Sequence, residues 1–182
     1  MQTSTGLAHI RTHLDRRLRK MPMNVLPGYR TTRAISTLQH LSNKVAPRVI
    51  SALLRTLCNG WCTAGRFGQR TTCKFCKRGA DTLPHIARCG VVWKLMRDEC
   101  GIQRPAGGEF EALCCLSGDA QWRDQEGAPG SADAAACIQV QALFATYKLH
   151  NHLRHCALVE PEMPGAFRAF FNEARAATTS MD

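Results

Sequence analysis

With 182 residues and 45% apolar content, the chain has the length of one domain and the composition of an ordinary globular protein. No apolar run approaches the ~18 residues of a membrane span, and the basic segment RTHLDRRLRK stands where a signal peptide would carry its apolar core. This reads against a membrane or secreted protein, so the ten cysteines are expected as reduced thiols and metal ligands inside the cell, in nucleus or cytoplasm.

The net charge of +10 is uneven. Residues 1–60 hold ten Lys/Arg against one acid, residues 61–100 eight against three, and residues 101–182 six against ten. A basic front half is the electrostatic footprint of a protein that meets a polyanion. It carries no information on sequence specificity, because phosphate contacts position and do not read.

In chain order, residues 1–34 read as a basic, flexible arm. Leu14 and Leu18 give Arg11–Lys20 a short helical pair, and Pro22, Pro27 and Gly28 then break the pattern. A firmer helix starts at Pro47, with Val49, Ile50, Leu53, Leu54 and Leu57 on one apolar face and Asn59-Gly60 as its stop. A turn-rich stretch, GWCTAGRFGQR, leads into Cys73, Cys76, His85 and Cys89, spaced Cys-x2-Cys-x8-His-x3-Cys. Two thiolates on one turn can face one ion. His85 and Cys89, four apart, are expected one turn apart on one short helix, with Asp81 or Thr82 as its cap and Pro84 in its first turn. Three thiolates and an imidazole form a closed tetrahedral set, the pattern of structural Zn²⁺, so zinc is the expected cofactor. Gly79 supplies the sharp turn after the second thiolate.

Further along, residues 91–99 continue as a helix with Val92, Leu95 and Met96 inward, ended by Gly101 and Pro105. A short helical stretch over 110–116 and a polar loop over 117–133 follow. The longest helix is expected over 134–158, and a last one over 166–177 puts Phe167, Phe170, Phe171 and Ala174 on one side. The fold class is therefore mainly α, a helical domain organised around one small zinc module. Its divisions are the arm (1–34), a helix plus the zinc module (35–104) and a helical C-terminal region (105–182).

Other constellations read more plainly. His150, His152, His155 and Cys156 form a dense group, taken as a pH-sensitive basic patch or helix surface. Cys58 and Cys62 lie near the ligands and, like Cys100, Cys114, Cys115 and Cys137, read as small core residues. Trp61 and Trp93 are expected in the core. Phe75, between the first two thiols, is open to either packing or base stacking.

The ligand segment resembles the C-terminal zinc-binding region of non-LTR-retrotransposon reverse transcriptases. CKFC, DTLPHIARC and VVWKLM correspond to its Cys-x2-Cys pair, its acidic-Thr/Ser-hydrophobic-x-His run with the final Cys, and its Trp-bearing helix. The preceding LLRTLCNGWCTAGRFGQRTTC and the later FATYKLHNHLRH resemble flanking helices of protist retroelement proteins. The His-to-Cys spacing departs from many such fingers by one residue. No Tyr-x-Asp-Asp carboxylate pair and no nuclease-type acid cluster is present, and the zinc half holds three acids, Asp81, Asp98 and Glu99, where two-metal phosphoryl chemistry needs converging carboxylates. The resemblance implies a reverse-transcriptase tail without its polymerase: a zinc-stabilised nucleic-acid-binding module with no catalysis and no small-molecule substrate. Arg66, Arg70, Lys74, Lys77, Arg78 and Arg88 are the expected phosphate contacts to DNA or RNA. The alternative is a structural or protein-interaction remnant in which zinc only staples a small helical domain.

Overall fold

The computed structural model describes residues 3–21, 23, 27–116, 131–156 and 158–179. Among them are eight α-helices and no strand. They are α1 (Thr3–Leu18), α2 (Pro27–Ser42), α3 (Pro47–Leu57), α4 (Leu83–Ile86), α5 (Gly90–Cys100), α6 (Glu109–Leu113), α7 (Ala132–Leu153) and α8 (Met163–Thr179). Two 3₁₀ turns, Ala64–Phe67 and Glu160–Glu162, complete the order. No described helix is long and apolar enough to cross a membrane.

The front of the chain corrects the reading of residues 1–34 as an arm. Pro27 does not break a helix but opens one: with its φ preset and no N–H to satisfy, proline suits a first turn. α1 and α2 pack together, and Leu14, Leu18, Met21, Thr31, Ala34 and Leu41 are buried. The pair is joined by Asp15, the one acid of the first sixty residues. Its carboxylate accepts from the Thr31 hydroxyl (3.0 Å) and from Arg19 Nε (2.7 Å), and these bonds hold its pKa below the usual carboxylate value.

α3 buries Val49, Ala52, Leu53, Thr56 and Leu57. Leu54, expected on the apolar face, is 40% exposed, because the buried stripe follows positions 49, 52, 53, 56 and 57 instead. The helix stops where Asn59 turns left-handed (φ 51°) before Gly60. α7, twenty-two residues long, is the central element and packs against α3, α5 and α8. Across the outside, Arg168 of α8 clamps Glu99 of α5 with two hydrogen bonds, at 2.7 and 3.2 Å. α8 buries Met163, Phe167, Phe171 and Ala174. Most of the polar stretch expected over 117–133 lies outside the described residues; from Ala132 onward it is already α7.

A single contiguous core runs from Leu14 through Trp61, Cys73, Phe75 and Leu83 to Phe167 and Ala174. The metal-ligand segment is therefore built into the same core as the C-terminal helices.

Candidate metal centre

The segment that leads to the ligands is fixed by Trp61. Its ring is wholly buried, its indole N–H donates to Thr56 Oγ1 (2.8 Å), and it meets Tyr147 edge-on with ring centres 5.4 Å apart. After the 3₁₀ turn Ala64–Phe67 the chain enters a small loop closed by the antiparallel bridge Thr72–Ala80 and by the Cys73 N–H to the Gly79 carbonyl (3.0 Å). Inside this loop lies the Cys-x2-Cys turn. Lys77 takes a left-handed φ of 55° there, and its N–H returns to the Cys73 carbonyl (3.0 Å).

The four ligand atoms of Cys73, Cys76, His85 and Cys89 all lie within 4.8 Å of one another. Cys73 and Cys89 are buried, Cys76 and His85 half-buried. His85 Nε2 stands 3.3 Å from Cys76 Sγ, which marks Nε2 as the ring nitrogen turned into the cluster. Among the described residues no other group of three or more His, Cys, Asp or Glu side chains converges as a metal site would. That covers His150, His152, His155 and Cys156.

The surroundings fit a metal thiolate site. The amides of Phe75 and Cys76 face the Cys73 sulfur, and those of Val91 and Val92, in the first turn of α5, face the Cys89 sulfur. Such N–H groups favour a charged sulfur. The Cys73 and Cys89 thiols are also within hydrogen-bond reach of each other, a contact that pulls the Cys89 pKa down and pushes the Cys73 pKa up. A bound cation would hold both as thiolates, releasing their protons. Gly79 serves twice: its φ of 65° is left-handed, and a Cβ there would overlap the His85 imidazole.

One expected detail is corrected. His85 and Cys89 do not share a helix. Thr82 caps α4, its Oγ1 accepting from the His85 N–H (3.3 Å), and His85 sits in that four-residue helix with Pro84 in its first turn. α4 then ends at Ile86, and Cys89 is the extended residue that opens α5. The ligands thus come from a turn, a short helix and the start of a second helix.

Asp81 does not cap α4 either. Its carboxylate is buried, accepts from the Ala64 N–H (2.8 Å) and meets His150 Nε2 (3.0 Å), while its own N–H reaches the Thr71 carbonyl (2.9 Å). His150 was expected on a helix surface and is instead fully buried on α7, between Trp61 and Phe75. Burial lowers its pKa against the opposing pull of Asp81, so the neutral imidazole donates through Nε2 and leaves Nδ1 as a buried acceptor with no partner among the described residues. Sequence reasoning missed this brace because its members stand 17 and 69 residues apart and no local spacing joins them. His152 packs against the Phe170 ring, and His155 and Cys156 are exposed.

Of the residues expected to meet phosphate, Arg66, Arg70, Lys77, Arg78 and Arg88 are exposed and Lys74 is half-buried. Arg66 donates to the Gly60 carbonyl (2.9 Å) and lies over the Phe67 ring. Phe75 is buried, which assigns it to packing rather than stacking; Trp61 and Trp93 are buried as expected. Cys58 and Cys62 are half-buried and outside the ligand cluster. No family model matches the chain, and no curated protein or solved structure matches it.

Proposed function

We propose that the Cys-Cys-His-Cys cluster holds one structural zinc ion and that the segment around it binds nucleic acid through phosphates, without catalysis of its own. Three thiolates and an imidazole within one small, partly buried cluster suit zinc in closed tetrahedral coordination. The observation that carries the nucleic-acid reading is a shortage of counter-charge around the metal segment. Among the described residues Arg66, Arg70, Lys74, Lys77, Arg78 and Arg88 form no ion pair, and Asp81, the one acid between residues 61 and 97, is buried and engaged by the Ala64 N–H and His150. Uncompensated cations gathered on one segment are what a polyanion binds. The resemblance of residues 73–96 to the retroelement zinc region points to the same partner and to a common ancestry.

The rival reading is a metal staple that serves only the fold. It is favoured by the continuity of the core, in which Cys73 and Cys89 belong to the cluster that also holds Leu143 and Phe167. Two measurements decide. Native mass spectrometry with and without a chelator should show one Zn²⁺ per chain. A salt titration of DNA and RNA binding should then give a log–log slope of about −0.9 per phosphate on a duplex, or about −0.7 on a single strand. Changing Lys77 and Arg78 together to Ala should reduce that slope by roughly one to two units with zinc retained. Absence of binding at low salt leaves the staple reading.

A further inference from the structure

A shallow cleft of about 110 Å³ lies beside the metal segment, lined among others by Phe67, Gln69, Thr71, Lys74, Asp81 and Arg154. Phe67 is 60% exposed, the most exposed aromatic ring among the described residues. The Arg66 guanidinium, tethered to the Gly60 carbonyl, stands 5.7 Å from the ring centre and can cover only one face of it. Lys74 and Arg154 bring two cations to the cleft, neither in an ion pair with a described residue. The one carboxylate, Asp81, is already engaged by the Ala64 N–H and by His150.

We propose that this cleft is a nucleotide subsite for an unpaired strand. One base stacks on Phe67, with the Gln69 amide and Thr71 hydroxyl beside its edge, and the adjoining phosphate lies between Lys74 and Arg154. The inference rests on the nucleic-acid reading above and narrows it to single-stranded ligand. An exposed ring flanked by cations offers a stacking platform to a splayed base, whereas a duplex keeps its base faces to itself. Buried Asp81 repels phosphate from the deep end of the cleft and leaves the anion to its cationic rim.

The subsite also gives the Asp81–His150 brace a purpose. Arg154 directly follows α7, four residues after His150, which is one helical turn. By bonding Asp81, His150 pins that end of α7 to the metal segment and so brings a cation of the C-terminal region to a cleft otherwise lined from residues 62–81.

The test uses the zinc-loaded full chain. Fluorescence anisotropy measures binding to a labelled single-stranded oligonucleotide of mixed sequence, as DNA and as RNA, and to the matched duplexes. Phe67→Ala should weaken single-strand binding by about 5- to 150-fold, the range for losing one base–aromatic stack, and leave duplex binding unchanged. Phe67→Trp should restore it. Arg154→Gln should reduce the single-strand salt slope by about 0.7. Because Phe67 and Arg154 are exposed, unchanged zinc stoichiometry and circular dichroism certify the fold of each variant. If Phe67→Ala binds single strands as well as wild type, or loses duplex affinity equally, the subsite is overturned while the nucleic-acid reading stands. If the wild type binds neither form at low salt, that reading falls and the subsite falls with it.

Discussion

Asp81→Ala removes the carboxylate on which three parts of the fold converge. Two donors, the Ala64 N–H and the His150 Nε2–H, would lose their acceptor at a place where the Asp81 side chain is 1% exposed and that of His150 0%. An orphaned buried donor costs about 1–3 kcal/mol, so the pair costs about 2–6 kcal/mol, toward the lower end if water enters from the adjacent cleft. That is a large part of the ~5–15 kcal/mol that holds a domain of this kind together. Asp81→Asn preserves the shape and one accepting oxygen. Its amide NH₂ then confronts the second donor, a conflict relieved only if the imidazole moves its proton to Nδ1. The Asn variant should therefore lose about 1–3 kcal/mol, the cost of one buried group left unsatisfied. Urea denaturation of the zinc-loaded protein, followed by far-ultraviolet circular dichroism, gives both numbers. A loss below about 1 kcal/mol in Asp81→Ala, less than a single orphaned donor costs, would refute the argument, as would an Asn variant less stable than the Ala variant.

Cys76→Ser should release the metal ion and unfold the loop around it, whereas Cys58→Ser should retain full zinc stoichiometry by native mass spectrometry; a metal-free Cys58 variant would mean the ligand set is wrong. Gly79→Ala should cost about 1–2 kcal/mol for the left-handed backbone and, by displacing the His85 ring, weaken metal affinity measured by competition with a chromophoric chelator; unaltered affinity would show that His85 does not need its position. The folded-state pKa of His150 is depressed, by burial first, with Arg154 and Lys74 acting in the same direction and Asp81 opposing. The unfolded chain therefore takes up the proton first, and the brace's contribution is complete above the unfolded pKa of about 6.5 and declines as the pH falls below it. The stability gap between wild type and His150→Gln should be constant above neutrality and shrink below about pH 6, with metal-ligand protonation cancelling in the difference; a gap that widens in acid contradicts a neutral buried imidazole.

The ligand cluster was legible because all four residues fall within seventeen positions, where spacing alone dictates which side chains can share an ion. α3, α5 and α8 were legible by their apolar period. What stayed hidden depended on distance or on dual meaning. Pro27-Gly28 is a breaker in one context and a helix start in another, and only packing against α1 decides between them. Asp81 has the right neighbours for a cap, yet the role goes to Thr82 because the carboxylate is drawn inward to Ala64 and His150. His150 shares its local sequence with His152 and His155. The sequence cannot tell which of the three meets a buried acid 69 residues earlier.

The shared core has a thermodynamic corollary. Since Cys73 and Cys89 sit among the same buried residues as Leu143 and Phe167, an ion that selects the folded ligand set is bound, in effect, by the whole helical body. Metal affinity and folding stability are then two readings of one equilibrium. A substitution deep between α7 and α8, touching no ligand, should lower the apparent affinity for zinc wherever it populates the unfolded chain. A chelator should likewise lower the melting temperature of helices that lie far from the thiolates.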